Sequence, residues 1–442
     1  MSNTFWLEKK IIFLTIFFAI CIRAYPLAET SDSIAESFSS FIDNNEGTTI
    51  FRSLNIPTGG RAESLGTAFT GIADDINFFD YNPAGSSILK NSEIAFFHNS
   101  WISDSSMETL AATTRFNNLG IGGQLKCFYV PFTEYNLFGE RVAGNYYSET
   151  SLTFNMSYNF LAGYNFKGIS VGYNIRGSWR NVPDYTDNKT DNIKNGSGLS
   201  QSALGLMADI GVITRLNMAK YFNDIEPNFS IGATINNIGL AITGFGSSFA
   251  LDDALPTKFN IGMSYRFIKP LLLSAEFRQP INLKKITTSE KFSIATGLEI
   301  SFTNFFLFEA GFLLQGANPR ISMGSQFNIK GIEMNINYTF DLTTTMAPIN
   351  HISLSAKLNL GDKGRKAKQS LIQSKYAEGI YLYSQGTRQS ISTAIIHWQE
   401  AKELSKSIGI KYDPAIEAIK IAQDLLNVHD IIKDYGTLNK NN

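Results

Sequence analysis

Phe292-Ser293-Ile294-Ala295-Thr296-Gly297-Leu298-Glu299-Ile300-Ser301-Phe302 alternates without a break: Phe, Ile, Thr, Leu, Ile and Phe at even positions, Ser, Ala, Gly, Glu and Ser at odd ones. Successive side chains of a strand point to opposite faces, so a period of two reads as β-structure. One face is oily and the other small or polar. Ile332, Met334, Ile336, Tyr338 and Phe340 repeat the pattern against Glu333, Asn335, Asn337 and Thr339. It recurs with Leu152, Phe154, Met156, Tyr158 and Phe160 opposite Ser151, Thr153, Asn155, Ser157 and Asn159, and with Ile352, Leu354, Ala356 and Leu358 opposite Ser353, Ser355, Lys357 and Asn359. A soluble sandwich also alternates, so length must decide. Eleven residues at about 3.3 Å each, tilted by roughly 40°, cover the roughly 25 Å apolar band of an outer-membrane barrel, and many sandwich strands are shorter.

Outward from that stretch, fourteen such segments follow one another: 92–101, 107–116, 119–130, 146–160, 167–179, 201–216, 228–238, 257–267, 270–278, 291–302, 305–315, 320–329, 331–340 and 351–360. An even number suits closure of an antiparallel barrel. Connections after the second, eighth, tenth and twelfth are nearly minimal (Asn117-Asn118, Ile268-Lys269, Thr303-Asn304, Lys330-Gly331), whereas those after the third, fifth and seventh run about 15 to 20 residues. Short turns on one rim and long loops on the other put the short rim, and both barrel ends, on the periplasmic side. The connection after the sixth segment is longer than this scheme favours. The expected fold is an all-β transmembrane barrel of about 14 antiparallel strands over residues 91–361.

Composition agrees. The 442 residues carry only 17% charged side chains against roughly 25% in ordinary soluble domains, with 34 Phe and 18 Tyr. The 38 basic and 39 acidic residues nearly cancel, which argues against a nucleic-acid-binding surface. After residue 22 no apolar run approaches the length of a transmembrane helix, so lipid must be met by strands. The same alternation turns Lys126, Arg176, Asp209, Glu276, Arg278, Glu299, Glu309, Glu333 and Lys357 inward, since each would cost kilocalories facing lipid. They either set pore selectivity or pair across the interior and hold the barrel's shape. Cys127, with Ile121, Leu125 and Tyr129, points to lipid as a small hydrophobe.

Lys9 and Lys10 before the apolar Ile11–Ile22, with Ala24 following, read as a signal peptide over residues 1–24. Arg23 speaks for the weaker reading, a retained anchor, and Ile20 speaks against lipidation at Cys21. Cys127 then stands alone, without a disulfide partner, and no Cys/His group has metal-ligand spacing; neither metal nor cofactor is expected. Between the signal and the barrel, residues 25–90 contain Gly59-Gly60-Arg61-Ala62-Glu63-Ser64-Leu65-Gly66-Thr67-Ala68-Phe69-Thr70-Gly71-Ile72-Ala73-Asp74-Asp75, then Asn77-Phe78-Phe79-Asp80-Tyr81-Asn82-Pro83-Ala84-Gly85. The glycines permit a tightly folded path, and Pro83 with Gly85 marks a turn before strand pairing begins. No Lys-Ser/Thr and no βαβ unit accompany Gly59–Gly66, so it is not a phosphate loop.

That segment closely resembles the N-terminal hatch and NPA motif of FadL-type outer-membrane channels, a family that carries long-chain fatty acids and other hydrophobic compounds and includes aromatic-hydrocarbon transporters and more distant secretion-associated barrels. The resemblance covers residues from about 51 to 360 and fits a spirochaetal, treponeme-like branch best. It implies a plug inside the lumen, entry from long loops around Asn181–Ser200 and Leu240–Pro256, and release of ligand through the wall beside the hatch. On family position Asn82, Pro83, Ala84 and Gly85 would form the gating element, with Phe78, Phe79 and Tyr81 lining a pocket; the alternatives are a structural turn and plain plug packing.

After Leu360 a charged linker, Gly361–Lys368, leads into helical spacing: Tyr376, Gly379, Tyr383 and Gly386, then Ala394, Trp398 and Ala401, then a helix opened by Pro414 with Ile416, Ile419 and Ala422 on one side. This resembles a tetratricopeptide-type hairpin, over residues 365–442, placed in the periplasm and able to pack on the barrel rim or hold a periplasmic protein. His397 and His429 have no second ligand or activating carboxylate at suitable spacing, and no nucleophile–base arrangement is evident, so no enzyme is expected. Two functions follow: a hatch-gated channel for passive uptake of long-chain fatty acids or other hydrophobic molecules, or a barrel serving assembly, secretion or interaction through its loops and tail. A soluble secreted β-protein would need the oily faces to meet each other.

Overall fold

The computed structural model describes residues 34–438 other than 103, 137, 185–197, 225, 246–252 and 344–349. The signal-peptide reading and much of the two longest loops lie outside the described residues. Fourteen strands form one closed antiparallel barrel, each paired with its neighbours in sequence and the last with the first. They are β1 (Ser92–Ser100), β2 (Ser106–Phe116), β3 (Leu119–Tyr135), β4 (Arg141–Phe160), β5 (Ile169–Asn181), β6 (Ala203–Leu216) and β7 (Phe229–Thr243). The circuit continues with β8 (Lys258–Ile268), β9 (Leu271–Pro280), β10 (Ser293–Ser301), β11 (Phe306–Gln315), β12 (Asn318–Ile329), β13 (Ile332–Asp341) and β14 (His351–Gly361). Closure runs from Ser92 opposite Gly361 to Ser100 opposite Ile352, so no strand edge is left open.

Burial alternates along each strand. In β6 Leu204, Leu206, Ile210 and Val212 are exposed on the outside, while Met207, Asp209 and Ile213 are buried. Aromatic side chains edge the outer face: Phe116, Tyr158, Phe160, Phe267 and Phe302 near the short turns, Phe277, Phe292, Tyr338 and Phe340 near the long connections. Two such girdles around an oily band are the surface that a bilayer's two interfaces select. One connection departs from the sequence reading. The long loop expected after the third strand is only residues 136–140, because β3 and β4 stay paired up to Tyr135 opposite Arg141. In β7, Asn236 and Asn237 bulge opposite Asp209, with Asn237 at φ +60° and its N–H held by Asp209 Oδ1 at 2.7 Å.

The N-terminal segment lies inside the barrel. From Ile50 to Leu89 nearly every residue is buried, through the short helices α1 (Gly60–Ser64) and α2 (Phe78–Tyr81). Phe78, Phe79, Ile76, Ile88 and Leu89 pack on inward side chains of β1, β2 and β6, while Phe51 and Leu54 pack on Ala203 and Met207. Beyond β14 come helices α3 (Arg365–Ser384), α4 (Arg388–Ser407) and α5 (Asp413–Leu438). Their core is Trp398, Ile391, Ala394 and Ala415. They dock on the short-turn rim: Tyr164 N–H donates to the Lys411 carbonyl at 2.9 Å, Lys411 N–H to Ala162 O at 3.0 Å, and Asn118 Nδ2 to Gly409 O at 2.7 Å. Tyr164 and Tyr412 meet edge to face, 4.9 Å between ring centres.

Candidate functional site

The lumen is where unusual chemistry is concentrated, and its first feature is a lack of side chains. Gly120, Gly172, Gly211, Gly232, Gly262, Gly297, Gly311 and Gly324 all face inward, on eight different strands. At each, an added Cβ would strike the inner segment: 2.2 Å from Ser86 C at Gly120, 2.3 Å from Pro83 O at Gly172, 2.4 Å from Thr70 O at Gly232 and 1.8 Å from Gly66 N at Gly311. The strands therefore form a smooth track that lets segment backbone lie against wall backbone. Gly66 itself, at φ +63°, turns where a side chain would strike Phe312 N and O at 2.6 and 2.8 Å.

Polar side chains then fasten the segment to this track. Glu276 Oε2 accepts the N–H groups of Phe69 and Thr70, both at 2.8 Å, while its other oxygen takes Arg278 Nε at 2.6 Å. Arg61 Nε donates to Glu299 at 2.6 Å and its Nη1 to Asp74 at 2.5 Å and Asp75 at 3.3 Å. Lys126 Nζ reaches Asp80 at 2.9 Å, and Lys357 Nζ reaches Glu333 at 2.6 Å and Asp75 at 3.9 Å. Arg176 meets Asp209 at 3.0 Å, and Asn174 Nδ2 ties Asp209 to the Phe79 carbonyl at 2.8 and 3.0 Å. Glu309 is fully buried and accepts from Asn335 at 2.6 Å. Buried pairs of this kind add little net stability but are costly to break singly, so they fix position more than they add strength.

Among the residues singled out by sequence for the gate, Asn82 makes three hydrogen bonds. Its Nδ2 donates to Thr70 O at 2.9 Å and Val212 O at 3.1 Å, and its Oδ1 accepts from Ala84 N–H at 3.1 Å. Pro83 O accepts from Asn155 Nδ2 at 2.9 Å, and Ala84 and Gly85 are buried beside it. Phe78 and Phe79 stack with ring centres 4.4 Å apart, and Tyr81 meets Phe69 at 5.6 Å. All nine inward charges lie in the lumen, and six of them, Glu276, Arg278, Glu299, Glu309, Lys126 and Lys357, touch the segment directly.

Sequence reasoning missed the segment's own charges, Arg61, Glu63, Asp74, Asp75 and Asp80, and the buried His351 that pairs with Glu63 through Nε2. Glycines at inward parity on successive strands were the available signal for the track. His397, expected to lack a carboxylate, has Glu378 Oε2 3.2 Å from Nδ1 across the α3–α4 hairpin, a neighbour that linear spacing does not reveal; no cavity adjoins it among those described. Cys127 is half-buried on the outer face, with Thr150 Oγ1 3.6 Å from its sulfur.

Comparison with known proteins gives the following. A family model described as an uncharacterised protein family, UPF0164, matches residues 28–363. A UPF0164 protein of Treponema pallidum (strain Nichols) is 28% identical over 421 residues, covering 93% of this chain and 92% of the relative. A second from the same organism is 27% identical, covering 88% and 78%. Among solved structures, the CymD monoaromatic hydrocarbon channel aligns with a TM-score of 0.45 at 12% identity, over 72% of this chain and 99% of that one. A Pseudomonas aeruginosa FadL homologue aligns with a TM-score of 0.40 at 10% identity, over 69% and 99%.

Proposed function

We propose, for a chain that belongs to the uncharacterised protein family UPF0164, the role of an outer-membrane channel that takes up hydrophobic small molecules, long-chain fatty acids foremost, by diffusion. The observation that carries this reading is a closed barrel, oily outside, whose lumen is occupied by its own N-terminal segment. A polar solute wants an open aqueous pore. An acyl chain does not, since each buried CH₂ contributes about 0.8 kcal/mol and an apolar path serves it better. In this reading residues 25–90 are the hatch, buried in the lumen over residues 50–89, Phe78, Phe79 and Tyr81 line the path, and Asn82-Pro83-Ala84-Gly85 is the gate. The inward charges hold the hatch in place rather than select ions. Asn82 bonds to Val212, three residues from Asp209 and the β7 bulge, which supports lateral release through the β6–β7 wall. An exported precursor, and a helical tail on the periplasmic side, complete the picture.

Palmitate delivery to a reporter enclosed in liposomes bearing the purified protein tests it, with Asn82→Ala and Pro83→Ala alongside. Delivery above that of empty liposomes, altered by the substitutions, is expected. Equal delivery by empty liposomes removes the proposal. A second reading, a scaffold for a periplasmic protein, is favoured by one observation: Ile380, Tyr381, Ile396, Ile421 and Val428 stand exposed on the tail helices. Capture of one defined partner by the full-length protein, lost on Tyr381→Asp, would support it.

A further inference from the structure

Between the short-turn rim and helices α3 and α4 lies a cavity of about 350 Å³, within the range of small-molecule sites. Ile88 and Leu89, the last apolar residues of the inner segment, line it on the barrel side; Ile372, Ile408 and Tyr412 line it on the helical side. The charged part of the lining is mostly cationic. Lys90, Arg115, Lys167, Arg215, Arg365 and Lys366 share it with only Asp224, Glu226 and Asp362. Asp362 is already engaged, accepting the N–H groups of Lys366 at 2.8 Å and Gly364 at 3.1 Å.

Glu226 offsets part of this charge from a distance at Arg115, Arg215 and Arg365 without pairing directly with any of them among the described residues. Arg115 donates to the carbonyls of Asn117 at 2.6 Å and Leu89 at 3.1 Å, and Arg365 to Asn117 O at 3.1 Å, which orients them without cancelling charge. Among the described residues Arg115, Arg215 and Arg365 have no carboxylate within 4.0 Å, whereas Arg61, Lys126, Arg176 and Lys357 higher in the lumen each have one. Burial and then the repulsion of Arg215 hold the Arg365 guanidinium below its ordinary value. Like charges gathered in a partly enclosed, partly apolar recess are unfavourable until an anion joins them. Three guanidiniums beside an oily wall match one class of ligand, an acyl chain ending in a carboxylate or phosphate.

We infer that this cavity is a receiving site for an anionic single-chain amphiphile, whose head is bound by Arg115, Arg215 and Arg365 and whose chain lies against Ile88, Leu89, Ile372 and Ile408. The inference rests on the channel reading and adds a second outlet beside lateral release: cargo that passes the hatch without leaving through the β6–β7 wall is held by its head under the barrel floor. Neutral hydrophobic molecules are not retained there.

The test uses the full-length protein in zwitterionic nanodiscs and palmitate carrying a diazirine near its methyl end. Photolabelling is expected in peptides spanning residues 364–373 and 405–412 and in residues 86–90. Unlabelled palmitate competes, and methyl palmitate and millimolar inorganic phosphate do not. Competition by hexadecyl phosphate as well assigns any anionic head; its failure assigns the carboxylate. Arg115→Gln with Arg215→Gln lowers labelling at least tenfold, and the corresponding Lys pair restores most of it. Should the Gln pair fail to fold, as read from heat-modified gel mobility, the competition series on the unsubstituted protein still decides. Equal competition by methyl palmitate, full competition by inorganic phosphate, or unchanged labelling in a folded Gln pair overturns the inference. Labelling here without liposome delivery removes the channel and leaves the site, whereas delivery without labelling does the reverse.

Discussion

Gly311→Ala is the sharpest perturbation of the lumen. A Cβ there falls 1.8 Å from Gly66 N and 2.2 Å from Leu65 C. Ordinary carbon contact needs about 3.5 Å, so something must retreat by about 1.7 Å. The wall cannot, because Gly311 sits between Gly297 of β10 and Ser322 of β12 in unbroken register. The inner segment must therefore lift. Three residues on, Phe69 and Thr70 are held by Glu276 at 2.8 Å, a length that leaves little slack. Each charge-assisted bond is worth about 1.5–3 kcal/mol, so losing both loosens residues 65–70 by about 3–6 kcal/mol. At about 1.4 kcal/mol per decade, protection of those amides against hydrogen exchange should fall by roughly 10²- to 10⁴-fold. Exchange measured by mass spectrometry in nanodiscs reads this directly, with strand amides unchanged. Gly177→Ala, where an added Cβ meets nothing within 4 Å, is the control. Unchanged exchange of Phe69 and Thr70 in a folded Gly311→Ala barrel would refute the claim that glycine contacts seat the segment.

Further expectations follow from the same contacts. Asn82→Ala removes three bonds, to Thr70, Val212 and Ala84, worth about 2–4 kcal/mol together; planar-bilayer conductance should rise from a closed baseline, and an unchanged trace counts against a gate at this position. Ile210→Arg places a charge at the middle of β6 on the outer face and should cost about 2–4 kcal/mol in reversible denaturant unfolding from lipid. Trp398→Ala empties the centre of the tail, where the indole donates to Tyr376 O at 3.1 Å, and should cost about 3–5 kcal/mol; faster tryptic cleavage within residues 365–412 with an intact barrel is the readout. Asp362 accepts the Lys366 and Gly364 N–H groups, and the first of these bonds chiefly holds its carboxyl below the ordinary value. Its folded pKa is depressed, so the support it gives the start of α3 is present above the unfolded value of about 3.9 and is lost as pH falls through the lower folded value. Amide exchange at Lys366 should accelerate there, relative to Asp362→Asn, which lacks the transition.

Strand count and facing were legible because a wall between lipid and lumen forces a strict period of two on every strand it contains. Reading failed where that constraint ends. Phe132, Thr133, Glu134 and Tyr135 stay in β3 above the oily band, where neither face has to be apolar, so the hairpin looked like a loop. The nine inward charges were visible from parity alone. Their partners were not: Arg61, Asp75 and Asp80 lie on a segment with left-handed turns at Thr67 and Ala73, where no period relates position to direction. The glycine track also escaped, because each glycine is unremarkable in its own strand and gains meaning only at a shared height. Docking of the tail rests on Asn118, Tyr164, Gly409 and Tyr412, which are far apart in sequence and carry no pattern.

A lipid-embedded cylinder closed by its own leading segment is best tested by spin labels placed one at a time along β4, in protein whose Cys127 is replaced by Ser and which is held in nanodiscs. Labels at Leu152, Phe154 and Met156 should collide readily with oxygen and poorly with a water-soluble nickel chelate. Labels at Ser151, Thr153 and Asn155 should be shielded from both, because the inner segment fills the lumen. Ready nickel collisions at the even positions would contradict the membrane barrel, and ready nickel collisions at the odd ones would contradict the filled lumen.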